Sequence, residues 1–196
     1  VINNAGRIIG TGNQRDGTVY SDATANAFTI NNQVGGLIDA GAANQGSGIS
    51  LELGAVAGDS RQFTLNNAGT VTGRGAALPS GATAGLRLFS TVTGVTASGN
   101  IVNSGTIQAS NGAGLLIENV NYTGLITNSG TISGPLSVDA SRATGGIRFV
   151  QNGGALLGDF VGSNFVDMLT FASGTTTLGS NILNGVTTTV ALGATV

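Results

Sequence analysis

Nine carboxylates and seven guanidinium groups carry the side-chain charge of this 196-residue chain, which has no His, Cys, Lys or Trp. The acids are Asp16, Asp22, Asp39, Glu52, Asp59, Glu118, Asp139, Asp159 and Asp167. Without imidazole or thiol there is no Ser-His-Asp triad, no Cys nucleophile and no zinc finger. What remains is carboxylate chemistry. An acid pair at a set separation hydrolyses glycosides, and a lyase needs a basic residue or metal-bound carboxylates. Asp159 and Asp167 lie in Gly158-Asp159-Phe160 and Val166-Asp167-Met168-Leu169, faintly like Gly/Asp calcium repeats. The double-Gly turns are missing and only one copy exists, so neither a metal nor any other cofactor is expected. A net charge of −2 without a basic run excludes a nucleic-acid partner. No apolar run approaches the ~20 residues of a membrane-spanning helix, so no transmembrane segment is expected.

The elements that would position these groups are written in an unusual composition. There are 34 Gly, or about 17%, against roughly 7% in ordinary chains. Charged residues make up 8%, the hydrophobic fraction is 40% and mean hydropathy is +0.27. Disordered chains are apolar-poor and highly charged, so this one folds. Its length supports a real core. The lack of cysteine fits a reducing compartment and a disulfide-free secreted chain equally. The chain starts at Val1 without a signal-peptide pattern, which reads as an excerpt of something longer.

Two motifs recur. The first is apolar-x-Asn-small-Gly-x-apolar: Ile2 to Ile8, Leu65 to Val71, Ile101 to Ile107 and Ile126 to Ile132. Degenerate copies follow Ile30-Asn31-Asn32 and Val150-Gln151-Asn152. The second is Gly-apolar-x-apolar, at Gly48, Gly85, Gly114 and Gly146, with a weaker copy at Gly17. The two alternate in fixed order from residue 17 to 130. Each segment alternates with period 2 over three to five residues between Gly or Asn, which is strand grammar. Repeats of about 24 to 36 residues holding several short strands predict an all-β fold: a right-handed parallel β-helix, or β-solenoid, of about six or seven coils. Residues 1–157 form the coils with Asn-Gly repeats, and 158–196 shorter terminal coils of the same solenoid. Longer coils simply carry longer loops, such as Gly73 to Ala84 and Phe89 to Gly99, at a cost that grows only logarithmically.

Stacking places equivalent residues about 4.8 Å apart in columns. One inward column would hold Ile2, Ile30, Leu65, Ile101 and Ile126; another Ile8, Ile38, Val71, Ile107 and Ile132. The key asparagines, Asn4, Asn32, Asn67, Asn103, Asn128 and Asn152, share the parity of the first column. They are expected to form a structural ladder of stacked amides rather than a ligand site. Gly two residues later supplies either φ > 0 or room for a tight corner. Outward columns would hold Glu52, Phe89, Glu118 and Val150, and beside them Ser50, Arg87, Leu116 and Arg148. Arg87 then lies between Glu52 and Glu118 in exposed cross-coil ion pairs worth roughly 0–1 kcal/mol each. Arg87, Phe89 and Arg148 form the candidate surface contact patch. Thr70, Thr106 and Thr131 make a solvent-facing column without the second Thr that ice binding would need.

The Ile-x-Asn-Ser-Gly-Thr-Ile copies at Asn103 to Ile107 and Asn128 to Ile132 resemble the passenger domains of bacterial autotransporters. The stretch from Gly158-Asp159 through Asp167-Met168-Leu169-Thr170-Phe171 to Thr189-Val190 resembles their strand-rich ends. The resemblance covers about residues 1–190. It implies export through the outer membrane of a Gram-negative cell and an extracellular or cell-surface location. Function then reads as a non-enzymatic adhesin or the stalk presenting one, with no catalytic residue. The partner would be a host or cell-surface glycan or protein, or like chains. A self-assembling surface filament and a polysaccharide-acting β-helix enzyme are the alternatives.

Overall fold

The computed structural model describes residues 1–11, 17–21, 27–41, 46–75 and 83–196. Asp16 and Asp22, and most of the stretch between Gly73 and Ala84, lie outside them. All regular structure among the described residues is β, in twenty strands of one sheet. Every strand-to-strand ladder is parallel and joins residues 19 or more positions apart, so the chain winds around an axis as a parallel β-helix.

Three faces recur along the coils, and in the middle coils a further short ladder of Ser60–Gln62, Val95–Ser98 and Val120–Tyr122 lies between the glycine and asparagine faces. The asparagine face stacks Ile2–Asn4, Ala27–Asn32, the end of Ser60–Asn67, Asn100–Asn103 and Leu125–Asn128 in register. The threonine face stacks Arg7–Ile9, Leu37–Asp39, Thr70–Gly73, Thr106–Ala109 and the start of Thr131–Arg142. The glycine face stacks Gly17–Ser21, Ser47–Glu52, Thr83–Phe89, Gly112–Glu118 and the end of Thr131–Arg142. Among the described residues, seven ladder-paired rungs of the threonine face and seven of the glycine face follow one another.

Period-2 alternation aims one residue set inward on each face. Ile30, Leu65, Ile101 and Ile126 are wholly buried, as are Ile38, Val71, Ile107 and Ile132, and Ile49, Leu86, Leu115 and Val138. They form one continuous core with Val19 at one end and Phe171 near the other. Burying such a side chain is worth about 1.5–3 kcal/mol, and β-branched residues fit stacked strands. Toward the C-terminal end Phe149 and Phe160 meet edge to face at 5.4 Å.

Glycine opens the glycine face for a steric reason. A Cβ on Gly48, Gly85 or Gly114 would lie 2.8, 2.7 or 2.5 Å from the inward side chains of Val71, Ile107 or Ile132. Val71, Ile107 and Ile132 belong to the following coil in each case, so the missing side chain leaves room for the coil stacked above.

Coils lengthen up to Ile101 and shorten beyond it. The asparagine-face rungs Ile101 and Ile126 are 25 residues apart (126 − 101), Phe149 and Leu169 are 20 apart (169 − 149), and Leu169 and Thr188 are 19 apart (188 − 169). Position 158 falls inside the single strand Arg148–Val161.

Candidate functional site

Five of the six key asparagines lie on the asparagine face with the inward parity of the core, and all five are buried: Asn4, Asn32, Asn67, Asn103 and Asn128. Each donates from Nδ2 to the carboxamide oxygen one coil further on. The distances are 2.8 Å for Asn4 to Asn32, and 2.7 Å for Asn32 to Asn67, Asn67 to Asn103 and Asn103 to Asn128. The same nitrogens also donate to the carbonyls of Leu37, Thr70, Thr106 and Thr131 at 3.1–3.2 Å. That second bond fixes which way each amide points. The column therefore satisfies buried polar groups and ties the asparagine face to the threonine face around the corner.

Asn152 is not a rung. Gln151 takes the position opposite Asn128 and accepts its amide at 3.0 Å. The strand Phe149-Val150-Gln151 is in register with Ile126-Thr127-Asn128, and the following corner holds one residue more before Ala155 pairs with Thr131. Asn152 occupies a register shift in the ladder toward the next strand. Beyond Gln151 the next rung is Phe171, which ends the polar column.

The expected contact patch is split. Arg87 stacks over Phe89, with its guanidinium carbon 4.0 Å from the ring centroid. Arg148 is elsewhere: it pairs with Leu125 and Met168 on the asparagine face and donates to the Thr123 carbonyl. Gly146-Ile147-Arg148-Phe149 has the glycine-face pattern but belongs to a different face. The glycine-face strand of that coil is the second half of Thr131–Arg142, so Asp139 stands opposite Leu116 and Arg142 opposite Glu118. Leu115 to Val138 is a step of 23 residues (138 − 115), which matches the neighbouring asparagine-face steps. That spacing was the available signal.

The ion pairs also differ from the exposed pairs expected. Glu118 accepts from Arg87 Nε at 2.7 Å and lies within 2.6 Å of Arg142 Nη2. Its side chain is 6% exposed and that of Arg87 15%. Glu52 does not pair with Arg87; it accepts from the Tyr20 hydroxyl and from Thr91. One carboxylate gripped by two guanidinium groups, one stacked on an aromatic ring, is a cross-coil clasp.

Four further acids among the described residues hold backbone in place. Asp167, fully buried, accepts from the Ile147 amide and from the amide and hydroxyl of Ser163. Asp159 accepts from Ser180 and Asn181, and these bonds hold its carboxyl below the usual carboxylate range. Asp59 caps the turn at Ala55 and Val56 and pairs with Arg61. Asp139 accepts from Ser141. Among the described residues no three acids converge as metal ligands would.

A pair that sequence spacing did not suggest is Asp39–Arg74. Two parallel bonds of 2.5 and 2.8 Å join them, and the Gly41 amide adds a third. The Arg74 bond, chiefly, holds the Asp39 carboxyl below its usual range. A depressed carboxylate contributes stability above its unfolded value of about 3.9 and loses it as pH falls through the folded value. The melting-temperature gap between the parent chain and Asp39→Asn is therefore expected to be full near neutrality and to close below about pH 4. A gap that stays constant from neutral to acid would refute this reading.

Outside the ladder, the asparagine face carries a shallow groove of about 190 Å³. Its walls are the outward residues Asn31, Asn66 and Val102 and the corner residues Gln33, Ala68 and Ser104. No protein-family profile, no curated protein and no solved structure matches this chain.

Proposed function

We propose that this chain is a non-enzymatic passenger of a surface or secreted protein of a Gram-negative bacterium, working as an adhesin or as the stalk that holds one out. The observation that supports it most is the buried carboxamide column. It runs through successive coils and spends its hydrogen bonds on joining each coil to the next. Such a design favours a rigid, extendable rod with exposed outward residues, such as those of the asparagine face, to present contacts. The acids support the same reading, since the described ones hold turns, pair with arginines or, as Glu52 does, accept from neighbouring hydroxyls. The repeated Asn-Ser-Gly-Thr-Ile segments supply the resemblance to exported passengers. A glycan or protein on a host or cell surface is the partner of this reading.

A second reading is association between like chains. Phe165, Val166 and Met168 are half or more exposed, as are Val190 and Leu192 on the last coil, and clustered exposed apolar groups mark contact surfaces.

The test is to incubate the purified chain with cultured cells and, separately, with pectins, glucans and capsular sugars. Adhesion without release of reducing ends or unsaturated products is expected. Turnover that disappears in Glu118→Gln or Asp139→Asn would overturn the proposal in favour of a polysaccharide-acting enzyme.

A further inference from the structure

The groove on the asparagine face owes its shape to a step between coils. Four residues link Asn32 to Leu37 at the corner, but only two link Asn67 to Thr70. Gln33 therefore stands at a wide corner, and Ala68 and Ser104 sit on the tight corners that follow.

A second amide ladder runs through it. Asn31 Nδ2 donates to Asn3 at 2.7 Å and Asn66 Nδ2 to Asn31 at 2.8 Å, both exposed. These bonds point toward the N-terminal coil, opposite to the buried column. The next outward rung is Val102, which brings no donor. Asn66 Oδ1 is thus left as an acceptor at the rim of the groove, beside the apolar surface of Val102 and Ala68. Val102 is 41% exposed. No charged side chain lines the groove.

We infer that this groove is a subsite for a neutral saccharide ring, held by the Asn66 carboxamide against the Val102 floor. The inference rests on the adhesin reading and narrows it. A charged ligand would shed water here with no counter-charge to replace it. A purely apolar ligand would cover the Asn66 oxygen and leave it unpaired. A pyranose avoids both: hydroxyls meet the carboxamides, and a C–H face lies on Val102 and Ala68. The volume is below the roughly 300–1,000 Å³ of drug-sized sites, so the groove takes one ring of a chain that continues beyond it.

The probes are cellobiose and lactose, with digalacturonate and a short uncharged peptide for comparison, each titrated into the ¹⁵N-labelled chain. Shifts of the Asn31 and Asn66 side-chain amides and the Val102 backbone amide are expected with at least one neutral disaccharide. Affinity should fall about tenfold or more in Val102→Asp and in Asn66→Leu, with melting temperatures unchanged because both sites are on the surface. No shift at these residues with either disaccharide, a stronger response to digalacturonate or peptide, or unaltered binding in both variants would overturn the inference. Adhesion to cells with silent groove resonances would overturn it while leaving the adhesin reading standing. Groove shifts without adhesion would do the reverse.

Discussion

Gly105→Ala is expected to destabilise the chain by about 3 kcal/mol or more, the upper end of overpacking costs, while Gly6→Ala is expected to be neutral or slightly stabilising. Both glycines occupy the same place in the repeat, two residues after a key asparagine. A Cβ on Gly105 would lie 2.1 Å from the Gly69 carbonyl oxygen, one coil below. The same holds for Gly130 against the Gly105 oxygen, also at 2.1 Å. The obstacle is backbone held in a parallel ladder, so it cannot swing aside as a side chain would. Gly6 is on the first coil described, and nothing lies within 4 Å of its Cβ position. There alanine gains only the reduced freedom of the unfolded chain, about 0.4–1 kcal/mol. Urea unfolding of the two variants decides the matter. Equal effects at both positions would show that the glycine serves its own backbone conformation and not the approach of its neighbour. The φ angles already lean one way: Gly69, Gly105 and Gly130 are not among the positive-φ residues.

The second large effect is expected at Asn103. In Asn103→Ala the Asn67 amide loses its shortest acceptor, keeping the Thr106 carbonyl, and the Asn128 oxygen loses its donor, both in a buried column. Each stranded group costs about 1–3 kcal/mol, so a loss of about 3 kcal/mol is expected. Asn66→Ala is the control. It breaks an amide–amide bond of the same length class on the outside, where water replaces it, and should change stability by less than about 0.5 kcal/mol. Matching losses would mean that the column stabilises through rung packing rather than through buried hydrogen bonding.

The fold was legible because the repeat wrote itself in residue types. Columns such as Ile30-Leu65-Ile101-Ile126 and Asn32-Asn67-Asn103-Asn128 are in sequence phase, and the observed register keeps that phase. Legibility failed where one residue slipped. The pattern at Val150-Gln151-Asn152 offered an asparagine, but the inward apolar position is Phe149, which moves the polar rung to Gln151. Gly146-Ile147-Arg148-Phe149 copied the local pattern of the glycine face while sitting on another, so Arg148 left the patch. Local alternation identifies a strand; only the coil-to-coil count assigns it to a face. The burial of Glu118 was invisible for a different reason. Its outward parity is correct, yet Arg87, Phe89 and Arg142 from adjacent coils close over it, and no periodicity within one coil reports such a lid.

Strands that lie across the axis, with ladder bonds running along it, have a consequence for a chain held under tension. Force applied at the two ends pulls the bonds of one outer coil nearly lengthwise, while the inner coils stay shielded. The solenoid should therefore peel rather than shear, one coil per event. Each event releases a length set by that coil's residue count, since an extended chain reaches about 3.3–3.6 Å per residue. Steps of 36 and 25 residues separate neighbouring rungs of the amide column, so the released lengths should be unequal, about 120 and 85 Å. A stretched molecule would thus read out its own loop lengths in order, from whichever end yields first.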